Sequence, residues 1–234
     1  MIKKSEKRNN GESEIFTFED KGVKNISIYN LPKKINSLAI NQANYIFDCF
    51  NLNKRNIPQF YMSNLNLICG TTNPDENIII INDRIVNLDC YFEAYLDTVQ
   101  LNNKKERNTM DFLKEILTHE ISHNIFSQKY LDFVYTIFKR SDSSETYKYV
   151  DSIDEALAFF CEDYFCGGIN SLFEENSKEY DYVDVKIMKH FYLAFHSLAN
   201  QGRLDIIFEK LPGFVYNEFK NVREHTLERI LMEK

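Results

Sequence analysis

His119, Glu120 and His123 stand in the order HExxH, inside a run whose apolar spacing reads as a helix. Histidines four apart on a helix lie one turn from each other, about 40° apart around the axis. Two imidazoles at that spacing reach a single metal ion from one face. Glu120 sits about 100° from His119, close enough to hold a water on the same ion. This is the minimal equipment for metal-assisted hydrolysis, in which the ion activates a water and a carboxylate takes its proton.

The flanking residues support the helix. Asn108 is a residue of the N-cap type, with Asp111 in the first turn. Met110, Leu113, Leu117, Ile121 and Ile125 recur at helical spacing, and Phe112 and Ile116 widen the stripe. Neither Gly nor Pro interrupts residues 109–128.

A hydrolytic zinc site takes three protein ligands and keeps one position open. A third histidine six residues past the second, with a glycine three past it, is excluded, because Lys129 and Phe126 hold those positions. The next acidic stretch is residues 152–160, where Asp154 and Glu155 lie among apolar residues and alanines. A carboxylate on a buried helix is costly unless it is paired or metal-bound, and alanines let two helices approach closely. Glu155 has a competing role, because Ser152 and Glu155 fit the S-x-x-E capping box that starts a helix. Glu162, two turns further along the same face, is the substitute ligand, with Asp154 and Asp163 behind it.

In these features the chain resembles the gluzincin metallopeptidases, in which an HExxH helix is completed by a glutamate on a following helix, often within a Glu-Ala pair. The resemblance covers residues 77–166. It implies a compact zincin-like fold, Zn2+ held by His119, His123 and Glu155, and Glu120 as general base in the hydrolysis of a peptide or protein substrate, as in an endopeptidase. Thermolysin-like members have a shorter gap and an Asp four residues beyond the glutamate, which steadies a ligand histidine. Phe159 stands there in this chain, so that support comes from elsewhere or the subgroup differs. A donor for the transition-state oxyanion is also required, and Tyr147, Tyr149, Tyr192 and His196 are all open for it. Two alternatives stand beside the active peptidase: a zincin-fold regulator or sensor of the repressor-relieving type, and a catalytically inactive homologue.

The elements that must position these residues read as strands first and helices after, which is an α+β class. Residues 14–18 and 25–29 have strand character, with a turn at Gly22, and residues 34–50 read as a helix with Ile35, Leu38, Ala39, Tyr45, Ile46 and Phe50 as core. Residues 60–62 and 66–69 suggest strands, 71–75 a turn, and 77–82 the clearest strand. The four isoleucines of that last run suit either an edge strand that pairs with substrate or a buried central strand. Helices follow over 88–99, 109–128 and 183–199, with the glutamate helix ending at Gly167, a helix or extended pair over 131–138, and a short helix over 204–211. A last amphipathic helix is expected from Val215 onward. The expected organisation is a flexible tail over 1–14 and a single domain over 15–234, with a small N-terminal mixed sheet in 15–100 and a mostly helical part in 101–234.

Composition limits the partners. A net charge of −7 argues against a general nucleic-acid binder. No apolar run reaches the roughly 18 residues of a membrane span, and the polar N-terminus has no signal-like apolar core. The five cysteines, at 49, 69, 90, 161 and 166, are odd in number and form no CxxC pair. Free thiols in a reducing compartment follow, so a cytoplasmic location is expected unless a signal segment precedes the chain.

Overall fold

Alternating β-branched and aromatic residues in the front of the chain pair into one mixed sheet. The computed structural model describes residues 3–4, 16–20, 23–65, 69–86, 109–138, 144–167, 183–202, 204–205 and 207–208. The strands are β1 (Lys3–Lys4), β2 (Phe16–Asp20), β3 (Val23–Asn30), β4 (Gln59–Ser63), β5 (Gly70–Asn73) and β6 (Ile78–Asn82). Their order across the sheet is β1-β2-β3-β4-β6-β5. β4 and β6 run parallel, and the other neighbours run antiparallel. β1 falls within the polar stretch expected as a tail.

The isoleucine strand is interior, not an edge. β6 lies between β4 and β5, and all five of its residues are buried. Successive side chains of a strand point to opposite faces. Ile79 and Ile81 therefore join the main core with Ile46, Phe47, Leu113 and Leu117, while Ile78 and Ile80 meet Ile28 and Leu65 on the other face. A strand covered on both sides shows a continuous apolar run, which is why its sequence carries no alternation. The edge is β5, whose Thr71, Thr72 and Asn73 read from sequence as part of a turn. The turn proper is residues 74–77, and residues 66–68 of the expected strand lie outside the described residues.

Helices cover one face of the sheet. α1 (Lys33–Cys49) buries Ile35, Ala39, Ala43, Ile46 and Phe47, the four-and-seven spacing of a helical stripe. Tyr45, expected in that core, is 55% exposed, because it falls off the stripe. A 3-10 turn (Lys54–Asn56) leads into β4, and the short α2 (Asp83–Val86) follows β6. α3 (Thr109–Phe138) carries HExxH in one unbroken helix of 30 residues, so the separate element expected over 131–138 is its continuation. Leu113, Leu117, Ile121 and Ile125 are essentially inaccessible on its inner face.

α4 (Ser144–Cys166) packs against α3, and α5 (Val185–Ala199) packs against α4. α4 begins two turns before Ser152, which overturns the capping box. Ser152 is fully buried, and its hydroxyl donates to the Lys148 carbonyl at 2.6 Å. The same oxygen accepts from the backbone N–H of Asp184 at 2.7 Å, and the Asp184 side chain in turn caps α5 through Lys186 and Ile187. Gly167 ends α4 in the left-handed region at φ 66°, as its sequence position suggests. The expected helix over 88–99 and the one from Val215 onward lie outside the described residues. Among the described residues no helix is long and apolar enough to cross a membrane.

Asn77 clamps the β5–β6 hairpin to the HExxH helix. Its φ of 53° is left-handed, a conformation that asparagine tolerates better than most residues. Its Oδ1 accepts from Asn124 at 3.2 Å and from Gln128 at 2.8 Å, and its Nδ2 donates to the Ile57 carbonyl at 3.3 Å. Asn77→Ala removes three hydrogen bonds and adds backbone strain, and should cost about 3 kcal/mol in chemical denaturation. Asn77→Gly relieves the strain alone and should recover roughly 1 kcal/mol of that loss. Equal stability of the two variants would show that the left-handed backbone contributes nothing.

Candidate metal centre

α3 and α4 cross with their acidic and imidazole side chains facing each other. His119 and His123 project from one face of α3 because they are one turn apart, and Glu155 meets them from α4. The Nε2 atoms of the two histidines are 2.9 Å apart. Glu155 Oε2 lies 3.6 Å from His119 Nε2, and Oε1 lies 3.9 Å from His123 Nε2. A tetrahedral site with bonds of about 2.0–2.1 Å spaces its ligand atoms by roughly 3.3 Å. The observed separations straddle that value, so the three side chains converge closely enough to hold one metal ion.

The other nitrogen of each ring is also committed. His119 Nδ1–H donates to Glu162 Oε1 at 2.5 Å, and His123 Nδ1–H donates to Asp154 Oδ1 at 2.8 Å. A carboxylate on Nδ1 fixes the tautomer and ring orientation, makes the ring more basic and turns Nε2 toward the ion. Glu162 thus pairs with His119 Nδ1 and lies outside the three-residue group that could hold an ion, where its spacing suggested a substitute ligand. Asp154 supplies the support that Phe159 cannot, and Phe159 packs edge-on against the His119 ring at 5.3 Å.

Charge is concentrated here. Burial pulls the His123 imidazole down, but Asp154, Glu155 and Glu120 overcome it and push it up to about 10. His119 is opposed by burial and by His123, yet Glu162 and Glu155 raise it above the usual histidine range. A cation held by His119, His123 and Glu155 would compete with those protons. Burial raises Glu120, with His123, His119 and the Thr72 hydroxyl pulling it back. Asp151, one turn before Glu155, is pushed up to about 6 by burial and by its acidic neighbours Asp154 and Glu155.

Glu120 is 7% exposed and sits beneath β5. Thr72 Oγ1 donates to its Oε2 at 2.8 Å, and a Cβ placed on Gly70 would lie within 2.8–2.9 Å of its side chain. Thr72 and Gly70 were not among the sequence candidates. They sit far from HExxH in the chain, in a segment that resembles a turn, and nothing in their spacing marks them.

Two of the remaining candidates meet Asp163. Tyr192 donates to Asp163, and His196 Nε2 is 3.6 Å from that same carboxylate, so both answer to the α4–α5 interface. Burial lowers His196 despite that carboxylate. Tyr149 is buried with its ring edge-on to Phe191, and the Tyr147 side chain lies outside the described residues. Cys161 and Cys166 are free thiols, pushed up by burial to about 12 and about 11.

No family model, curated protein or solved structure matches this chain. The centre is therefore read from its own geometry.

Removing one supporting carboxylate should loosen the site without removing a ligand. Glu162→Gln and Asp154→Asn should each weaken metal affinity roughly 10- to 100-fold by competition with a chromophoric chelator. Unchanged affinity in both variants would reduce Glu162 and Asp154 to ordinary ion-pair partners.

Proposed function

We propose that this chain is a zinc-dependent peptidase, with His119, His123 and Glu155 as ligands and Glu120 as general base. The observation that carries this reading is the convergence of two Nε2 atoms and one carboxylate beside a second, buried carboxylate that has no ligand role. Two imidazoles and a carboxylate suit several divalent ions. An adjacent general base is what hydrolysis adds to that set, and zinc is the ion that suits it.

Zinc held by His119, His123 and Glu155 would lower the pKa of a water and polarise the scissile carbonyl. Glu120 would accept a proton from a water at the site and return it to the leaving amine. Its raised affinity for protons, from burial, suits a group that must accept and then release one near neutral pH. Asp154 and Glu162 hold the two rings in register throughout. The substrate is an extended peptide. Among the described residues β5 is the edge strand of the sheet and packs against Glu120, so a peptide strand added along that edge would lie near the candidate metal group. The free thiols of Cys49, Cys69, Cys161 and Cys166 are compatible with a reducing compartment.

Two substitutions and one screen test the reading. Glu120→Gln should retain metal and lose roughly a thousandfold in kcat. Glu155→Ala should fall well below one metal per chain by elemental analysis. Wild-type protein should cleave a mixed peptide library in a chelator-sensitive way. A zinc-loaded wild type that cleaves nothing would overturn the peptidase reading and move the function to metal-dependent regulation.

A further inference from the structure

The edge strand that is placed to receive substrate also grips the catalytic carboxylate. Gly70 and Thr72 are two apart, so they face the same side of β5, toward α3. Gly70 leaves a slot. A Cβ there would stand 2.8 Å from Cγ and Oε1 of Glu120 and 2.9 Å from Cδ, closer than real Cβ atoms come. Thr72 closes the slot with a hydrogen bond from Oγ1 to Oε2 at 2.8 Å. A free glutamate side chain samples many rotamers, and a general base must sit within hydrogen-bond reach of the proton it takes. We infer that Thr72 is the positioning residue for Glu120, fixing the carboxylate against the floor of β5 in the orientation that faces the metal group.

This rests on the hydrolytic reading above and adds to it that the base is held by the sheet, whereas the ligands are held by the helices. The hydroxyl is also 3.0 Å from the Glu120 backbone carbonyl, so it keeps an acceptor when the carboxylate has taken a proton. Valine at position 72 has nearly the shape of threonine and no donor. Serine keeps the donor and loses a methyl.

The test compares wild type, Thr72→Val, Thr72→Ser and Gly70→Ala by zinc stoichiometry, steady-state peptide cleavage and affinity for a peptide hydroxamate. Binding of that probe needs the ion and an oriented base but no turnover. Thr72→Val should bind zinc as wild type does, keep KM within about twofold and lose roughly 10- to 100-fold in kcat. Its hydroxamate affinity should fall about tenfold. Thr72→Ser should return both to within about threefold of wild type, and Gly70→Ala should resemble Thr72→Val because it displaces the same carboxylate. Unchanged kcat and hydroxamate affinity in Thr72→Val overturn the proposal. So does a loss of zinc in parallel with activity, which would make Thr72 merely structural. A wild type that binds zinc and hydroxamate yet cleaves no peptide overturns the hydrolytic reading alone, and the hydroxamate comparison then decides Thr72.

Discussion

The crossing of α3 on α4 brings His119 and His123 together with Asp154, Glu155 and Glu162 in a volume that water reaches only partly. Charges in such a place must neutralise one another, since leaving even one carboxylate unpaired there costs several kcal/mol. Two of the carboxylates are satisfied by ring N–H groups. Glu155 faces the two Nε2 atoms at 3.6 and 3.9 Å, and a divalent ion could be held among the three side chains. The metal group is thus a consequence of packing two acidic and basic faces against each other. The buried stripe of Leu113, Leu117, Ile121 and Ile125 on one side, and Ile153, Leu157 and Phe160 on the other, holds the faces in place.

The sheet contributes at right angles to this. β6 is buried on both faces and cannot move without opening two apolar clusters. β5 is pinned to it by antiparallel pairing from Gly70↔Ile81 to Asn73↔Ile78. The hairpin is tied a second time, at its turn, through Asn77 to Asn124 and Gln128 of α3. Asn124 and Gln128 lie one and two turns beyond Glu120, so the clamp and the base share one helix. A strand fixed at both ends over a helix is a rigid lid for a single side chain, and Glu120 is that side chain.

Much of this was legible in the sequence, for local reasons. HExxH and the helix around it depend on spacings of three, four and seven, which a single helix repeats faithfully. The α+β order and the strands at 59–63 and 78–82 were legible because apolar runs and turn residues bound them. The failures were all tertiary. Thr71, Thr72 and Asn73 are polar and precede Pro74, so they read as turn, yet pairing with β6 extends them into the edge strand. Ser152 and Glu155 match a cap, but a helix that begins at Ser144 puts both in its interior. Glu162 sits on the ligand face, and only the position of the His119 ring shows that it reaches Nδ1 and not the ion.

The same geometry separates Glu155 from Glu162. Both lie on one face of α4, seven residues apart, and about 10 Å apart along the axis at 1.5 Å per residue. Glu155 stands at the Nε2 side of the two rings and Glu162 at Nδ1 of His119. If Glu162 were the ligand, His119 would have to turn its ring, Nδ1 would lose its acceptor, and Glu155 would be left opposite His123 with Asp154 already in place there. Glu162 and Asp154 each meet a ring Nδ1, while Glu155 lies beside both Nε2 atoms. The arrangement requires α3, α4 and β5 to be docked at once, because the His119–His123–Glu155 group comes from two helices and Thr72 holds Glu120 from the sheet. Partial opening at any of the three contacts would separate Glu120 from the group that could hold an ion.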